Sequence, residues 1–98
     1  MTDANHYTLD MSITHADFFR LLPAAIVPYH ADIKGNVIDI SQDRRLLKIT
    51  LGEETLWRLT GLLSFPRTQV EFLFTGFSDE QRTAFIHRFD RYFHRGGG

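Results

Sequence analysis

Apolar residues recur at every second position through most of this chain and at helical spacing in only two stretches. That pattern commits it to a sheet with helices laid against it. Tyr7, Leu9, Met11 and Ile13 alternate with Thr8, Asp10 and Ser12, which predicts a half-buried strand. Thr14 then offers an N-cap with Asp17 three residues on, and Phe18, Leu21, Leu22 and Ala25 follow on one helical face. Pro23 removes a backbone donor and Pro28 restricts Val27, so the helix is expected to end or kink near Leu22 and give way to a connector reaching Pro28.

From Tyr29 the chain reads as β-structure. Ala31 and Ile33 precede Lys34-Gly35-Asn36, a hairpin turn, and Val37, Ile38 and Ile40 follow it. Gln42-Asp43-Arg44-Arg45 is a second polar turn, and Leu47, Ile49 and Leu51 alternate with Lys48 and Thr50 up to Gly52-Glu53-Glu54. The stretch from Thr55 to Phe65 fits both periods: Trp57, Leu59, Gly61, Leu63 and Phe65 recur at two, whereas Leu56, Leu59, Thr60 and Leu63 fit a helix. Gly61 and the Thr and aromatic content favour a strand, paired with Leu46 to Leu51 through the Gly52-Glu53-Glu54 turn and closed by Pro66. Val70, Phe72, Phe74 and Gly76 alternate with Gln69, Glu71 and Thr75 as a further strand.

The last element is the best specified. Ser78 and Gln81 form a capping box, and Asp79 and Glu80 sit at the positive end of the helix dipole. Arg91, His94 and Arg95 sit at its negative end, Gly96 is the expected stop, and Phe85, Ile86, Phe89, Tyr92 and Phe93 make one apolar stripe. The expected fold is therefore α+β: an antiparallel sheet of about five strands packed on one face by two helices, in the order β-α-β-β-β-β-(β)-α. Leu9, Met11, Leu21, Leu47, Ile49, Trp57, Val70, Phe72, Phe74, Phe85, Phe89 and Phe93 are the expected core. With 98 residues there is material for a single domain over 1–98, with 1–6 and 96–98 as flexible ends.

Eleven Lys plus Arg stand against twelve Asp plus Glu, so the molecule projects no strong field of either sign and nucleic acid is not an expected partner. The absence of cysteine excludes a disulfide framework, a thiolate zinc site and a Cys nucleophile. The polar start Met1-Thr2-Asp3-Ala4-Asn5-His6 has no cationic, apolar signal pattern, and no run approaches the roughly 20 apolar residues of a membrane span; a cytoplasmic protein with no membrane association is expected.

Chemistry-bearing constellations are sparse. His6, His15, His30, His87 and His94 show no metal-ligand spacing, and His87 and His94 lie two turns apart on the final helix, about 10 Å. None of Ser12, Ser41, Ser64 or Ser78 stands in a Gly-flanked elbow, and Asp32 and Asp39, facing across a hairpin, would be solvated. No catalytic residue, metal site or cofactor is expected. His87, Arg88, Arg91, His94 and Arg95 are the candidate binding residues, a cationic face opposite the Phe stripe that could grip an acidic protein or, less suitably, nucleic acid. The implied function is a small non-enzymatic binding or assembly domain, acting on a protein partner or on itself; the alternatives are a carrier protein and a nucleic-acid or small-ligand binder.

The carrier alternative rests on the end of the chain. Arg95-Gly96-Gly97-Gly98 resembles the Gly-Gly tails of ubiquitin-like and sulfur-carrier proteins, whose ends enter an activating enzyme. The resemblance implies Gly98 as the reacting terminus. It covers only the tail, and those proteins enter their glycines from a strand where this chain enters from a helix.

Overall fold

A computed structural model describes residues 5–97, and the side chains of residues 5–93. The elements are β1 (His6–Met11), α1 (His15–Ile26), β2 (His30–Lys34), β3 (Val37–Gln42), β4 (Arg45–Leu51), β5 (Thr55–Arg58), β6 (Ser64–Thr75) and α2 (Asp79–Gly97). All pairings are antiparallel, the sheet runs β1-β6-β4-β3-β2, and β5 pairs with β6 alone. The fold is the expected α+β arrangement with six strands.

Both helices begin where the sequence places a cap. The Thr14 hydroxyl accepts from the Asp17 N–H at 3.1 Å. The Ser78 N–H donates to Gln81 Oε1 at 2.9 Å while the Gln81 N–H donates to Ser78 Oγ at 3.1 Å, so two orphan donors of α2 are satisfied reciprocally. One sheet face, carrying Ile38, Ile40, Leu47, Ile49, Val70, Phe72 and Phe74, is buried under the helices. Phe89 meets Phe72 edge-on at 5.0 Å and stacks on Phe93 at 4.1 Å, and Phe18 of α1 lies 4.9 Å from Phe93. Leu9, Met11 and Leu21 pack around this cluster half-buried. At the β6–α2 corner Gly76 takes φ +79°, and a Cβ there would run into the Arg44 carbonyl oxygen; only glycine fits.

Five expectations need correction. The first helix does not stop near Leu22 but runs through Pro23 to Ile26. Pro23 lies on the solvent side, where water can take the carbonyl freed by its missing donor, while Ala25 and Ile26 beyond it are buried and hold the last turn down. The last helix likewise continues through Gly96 to Gly97; glycine permits a left-handed stop without imposing one.

The third correction concerns the middle of the chain. Thr55 to Phe65 is not one strand paired with β4. Only Thr55–Arg58 is extended there; the chain then reverses over Leu59–Leu63, and β6 starts at Ser64. Thr55 to Arg58 oppose Arg67 to Ser64, whereas Leu46 to Leu51 oppose Thr75 to Val70. The Gly52 N–H donates to the Gln69 carbonyl at 2.7 Å, so β4 runs straight on past Gly52 along the same side of β6 instead of turning back. In β4 each pair of partner numbers sums to 121 and in β5 to 122, as Leu51 with Val70 and Thr55 with Arg67 show. One extra residue is therefore accommodated between them, a bulge at Gly52-Glu53-Glu54.

That bulge explains the fourth correction, Trp57. Counted by twos from Leu47, Ile49 and Leu51, Trp57 falls on the buried face; the extra residue reverses the phase and turns it to the other face, where it is 54% exposed. Pro66, expected to close a strand, instead lies within β6 opposite Leu56. Its nitrogen points toward the edge that β1 leaves vacant beyond Met11, where no ladder donor is needed.

Candidate functional site

The bulge, β5 and the first four residues of β6 form an arm that leaves the covered part of the sheet. It carries five of the exposed large apolar side chains among the described residues. Leu56, Trp57, Leu59, Leu62 and Leu63 are all exposed, with Leu62 at 102%. Free solvent contact of five large apolar side chains on one hairpin exceeds the scattered exposure that any soluble surface shows.

The tip is ordered by its own hydrogen bonds. The Leu59 N–H donates to the Leu63 carbonyl at 2.9 Å, and the Thr60 hydroxyl accepts from the N–H groups of Leu62 and Leu63 at 3.2 and 3.1 Å. The base is clamped to the body. The His15 N–H, an orphan donor in the first turn of α1, bonds Glu54 Oε1 at 2.7 Å, and the His15 ring nitrogen Nε2 lies 2.8 Å from the Gly52 carbonyl, which only its N–H tautomer can satisfy. Buried Thr68 donates its hydroxyl to the Ile13 carbonyl at 2.8 Å, and Thr55 donates to the Arg67 carbonyl at 3.3 Å. A carboxylate at a helix N-terminus and a buried hydroxyl-carbonyl bond make the base a mount and not a hinge.

One face of the arm continues the face of the sheet that no helix covers. Trp57 lies opposite Phe65, and the Arg67 guanidinium stands 4.5 Å over the Trp57 ring while reaching Asp10 at 3.9 Å. Beyond them the uncovered face carries Gln69, Glu71 and Leu73 of β6, and at its far end a depression of about 550 Å³. Leu46, Lys48 and Leu73 line that depression, together with Asp32 and Asp39, which stand directly opposite each other. Like charges in that register repel; Lys48 stands directly opposite Asp39, and Lys34 lies 4.0 Å from Asp32.

The residues singled out from the sequence are placed differently. His87 and Arg91 are exposed on α2 and border one shallow surface with Asp79 and Glu80, so this patch presents both signs of charge and no cationic stripe. Arg88 is turned away from them: its guanidinium donates to the Ala24 carbonyl of α1 at 3.4 Å and lies 5.3 Å from the Tyr92 ring centroid, tying the helices together. The side chains of His94 and Arg95, and Gly98 as a whole, lie outside the described residues. His6 pairs with Glu71 at 3.5 Å and His30 borders the depression. Among the described residues no three His, Asp or Glu side chains gather closely enough to hold a metal ion, and no helix is long and apolar enough to cross a membrane.

The arm itself escapes a reading by periodicity, because its apolar residues serve no interior. The available signal is the adjacent pair Leu62-Leu63 beside Gly61: a strand turns such neighbours to opposite faces, and in a two-layer fold only one face is covered. A scan against protein-family models, a search of curated proteins and a search of solved structures each found no match.

Proposed function

We infer that this domain works by association, and that the β5–β6 arm is its contact element. The observation that carries this reading is the combination of an exposed Leu and Trp tip with a hydrogen-bonded base. An apolar loop left free to fold back would bury itself on the body; this one is held out, along a molecule 48 Å in its longest extent and 24 Å in its shortest. Pre-ordered apolar anchors lower the entropy of binding, and Trp is the residue type most enriched at the energetic centre of protein interfaces. The mixed charge beside His87 and Arg91 favours this element over the final helix as the contact surface.

A photo-crosslinking residue at position 62, compared with the same residue at position 43 in the β3–β4 turn, tests the reading in the living host. Position 62 is expected to give a discrete protein adduct, to another chain or to a second copy, and position 43 none. Uncrosslinked chain alone at position 62 overturns the reading.

A further inference from the structure

The uncovered face of β6 presents, at successive alternate positions, Phe65, Arg67, Gln69, Glu71 and Leu73. Read outward from Gln69, each direction gives a charged residue and then an apolar one, with the charges opposite in sign. Such a row is complementary to itself when turned end for end. We propose that two copies of this chain pack uncovered face to uncovered face about a two-fold axis near Gln69, each laying its arm on the far end of the other. The proposal deepens the reading of the arm as a contact element and rests on it.

Under that rotation Phe65 of one copy faces Leu73 of the other and Arg67 faces Glu71, twice over, as an isologous interface requires. On the β4 side the neighbouring strands follow the same rule; on the β1 side Asp10, level with Gln69, comes opposite Asp10 of the other copy, with Arg67 of each copy 3.9 Å from its own Asp10. Trp57, level with Phe65, comes over Lys48, which is level with Leu73; Leu59, level with Leu63, comes over Leu46, level with Thr75. The aromatic face thus meets a cation and the leucines meet each other. Leu46, Lys48 and Leu73 border the 550 Å³ depression beside Asp32 and Asp39, so the arm meets a recess at the opposite end of its own face whose Leu46 and Leu73 can take its apolar side chains. Reciprocal filling of two such sites closes the assembly at two copies. Sheets stack face to face about 10 Å apart with strands about 30° from parallel, a geometry that two antiparallel β6 strands satisfy.

The test uses charge reversal, because the pattern dictates an unusual outcome. Arg67→Glu places acid against acid across the axis, and Glu71→Arg places cation against cation. Each variant alone is expected to weaken self-association by about tenfold or more in sedimentation equilibrium. Mixed in equal amounts they should pair with each other at near wild-type affinity, since Glu at 67 of one copy then meets Arg at 71 of the other while the second contact keeps the wild-type Arg67–Glu71 pair. Positions 67 and 71 lie about 13 Å apart within one strand, so the recovery has no route inside a single copy. Melting curves taken at dilutions where every variant is a single copy separate lost association from lost folding, with Arg67→Glu showing only the small drop that its contacts to Trp57 and Asp10 account for.

A wild-type chain that stays a single copy up to hundreds of micromolar overturns the two-fold pairing. So does a dimer indifferent to both reversals, or a single copy that instead co-sediments with phosphatidylserine and phosphatidylcholine vesicles. If the chain is a single copy yet position 62 crosslinks to another protein, the arm reading stands and only the self-pairing fails.

Discussion

The body of the sheet and the arm are built from the same apolar residue types, yet one hides them and the other displays them. In the body, Ile49, Phe72 and Phe89 each have no solvent exposure, and α1 and α2 lie over them. In the arm, Leu56 and Trp57 stand on a two-stranded ladder that no helix covers, and Leu59 follows in the turn beyond it. Hydrophobic composition therefore says little about destination; what separates the regions is whether a second layer reaches them. Apolar surface that the chain's own helices do not cover can still gain free energy by burial against another molecule, which is the gain the proposed association would draw on.

The sharpest way to break this comparison is to empty the body. Phe89→Ala removes the ring that joins Phe72, Phe85 and Phe93, and should cost about 3–5 kcal/mol by denaturant unfolding. A loss below 1 kcal/mol would mean that the helical layer contributes far less than its burial implies. Next comes the join between the regions. Thr68→Val keeps the volume but strips the Ile13 carbonyl of its buried donor, with an expected loss of about 1–3 kcal/mol and faster amide exchange at the base of the arm.

Within the arm the effects on folding shrink while those on association grow. Trp57→Ala gives up one exposed ring and its contact with Arg67, about 0.5–1 kcal/mol when measured on a single copy. The same change should weaken self-association far more than stability. Leu62→Ser and His87→Ala should both leave the unfolding midpoint within about 0.5 kcal/mol of wild type, and only the first should alter association. Equal effects of these two on association would move the contact surface from the arm to α2.

The sequence announced the parts that depend on neighbours along the chain. Thr14 with Asp17 and Ser78 with Gln81 are local hydrogen-bond patterns, and both caps stand as their spacing implies. Strands β3 and β4 and the second half of β6 read correctly because one of their faces is buried and the other wet. Trp57 misled because the phase of β5 is set by its pairing with β6, through one residue added at Gly52-Glu53-Glu54, and no period within β5 records that addition. Pro23 misled because a proline penalty is a local quantity, whereas the turn that follows it is held by burial of Ala25 and Ile26 against a distant layer. Arg88 belonged by spacing with His87 and Arg91, but α1 supplies the Ala24 carbonyl that draws it away. The arm was least legible of all, since the exposure of its apolar residues follows from no period within it.

The position of β1 at the edge of the sheet, next to β6, also sets an order of events in time. β2 and β3 each pair with the strand that follows, and β4 pairs with β6 across a single intervening arm, so these contacts close short loops. β1 must instead bring His6 to Leu73, across most of the chain, and it leaves the ribosome before its partner exists. Until β6 arrives, β1 has no ladder; until β1 docks, the backbone groups of Val70 and Phe72 on that side are an open edge. Docking of β1 is then the late, rate-setting step, and the interval before it is when a newly made chain is most exposed to aggregation. In amide exchange the strand made first should be the first to let go.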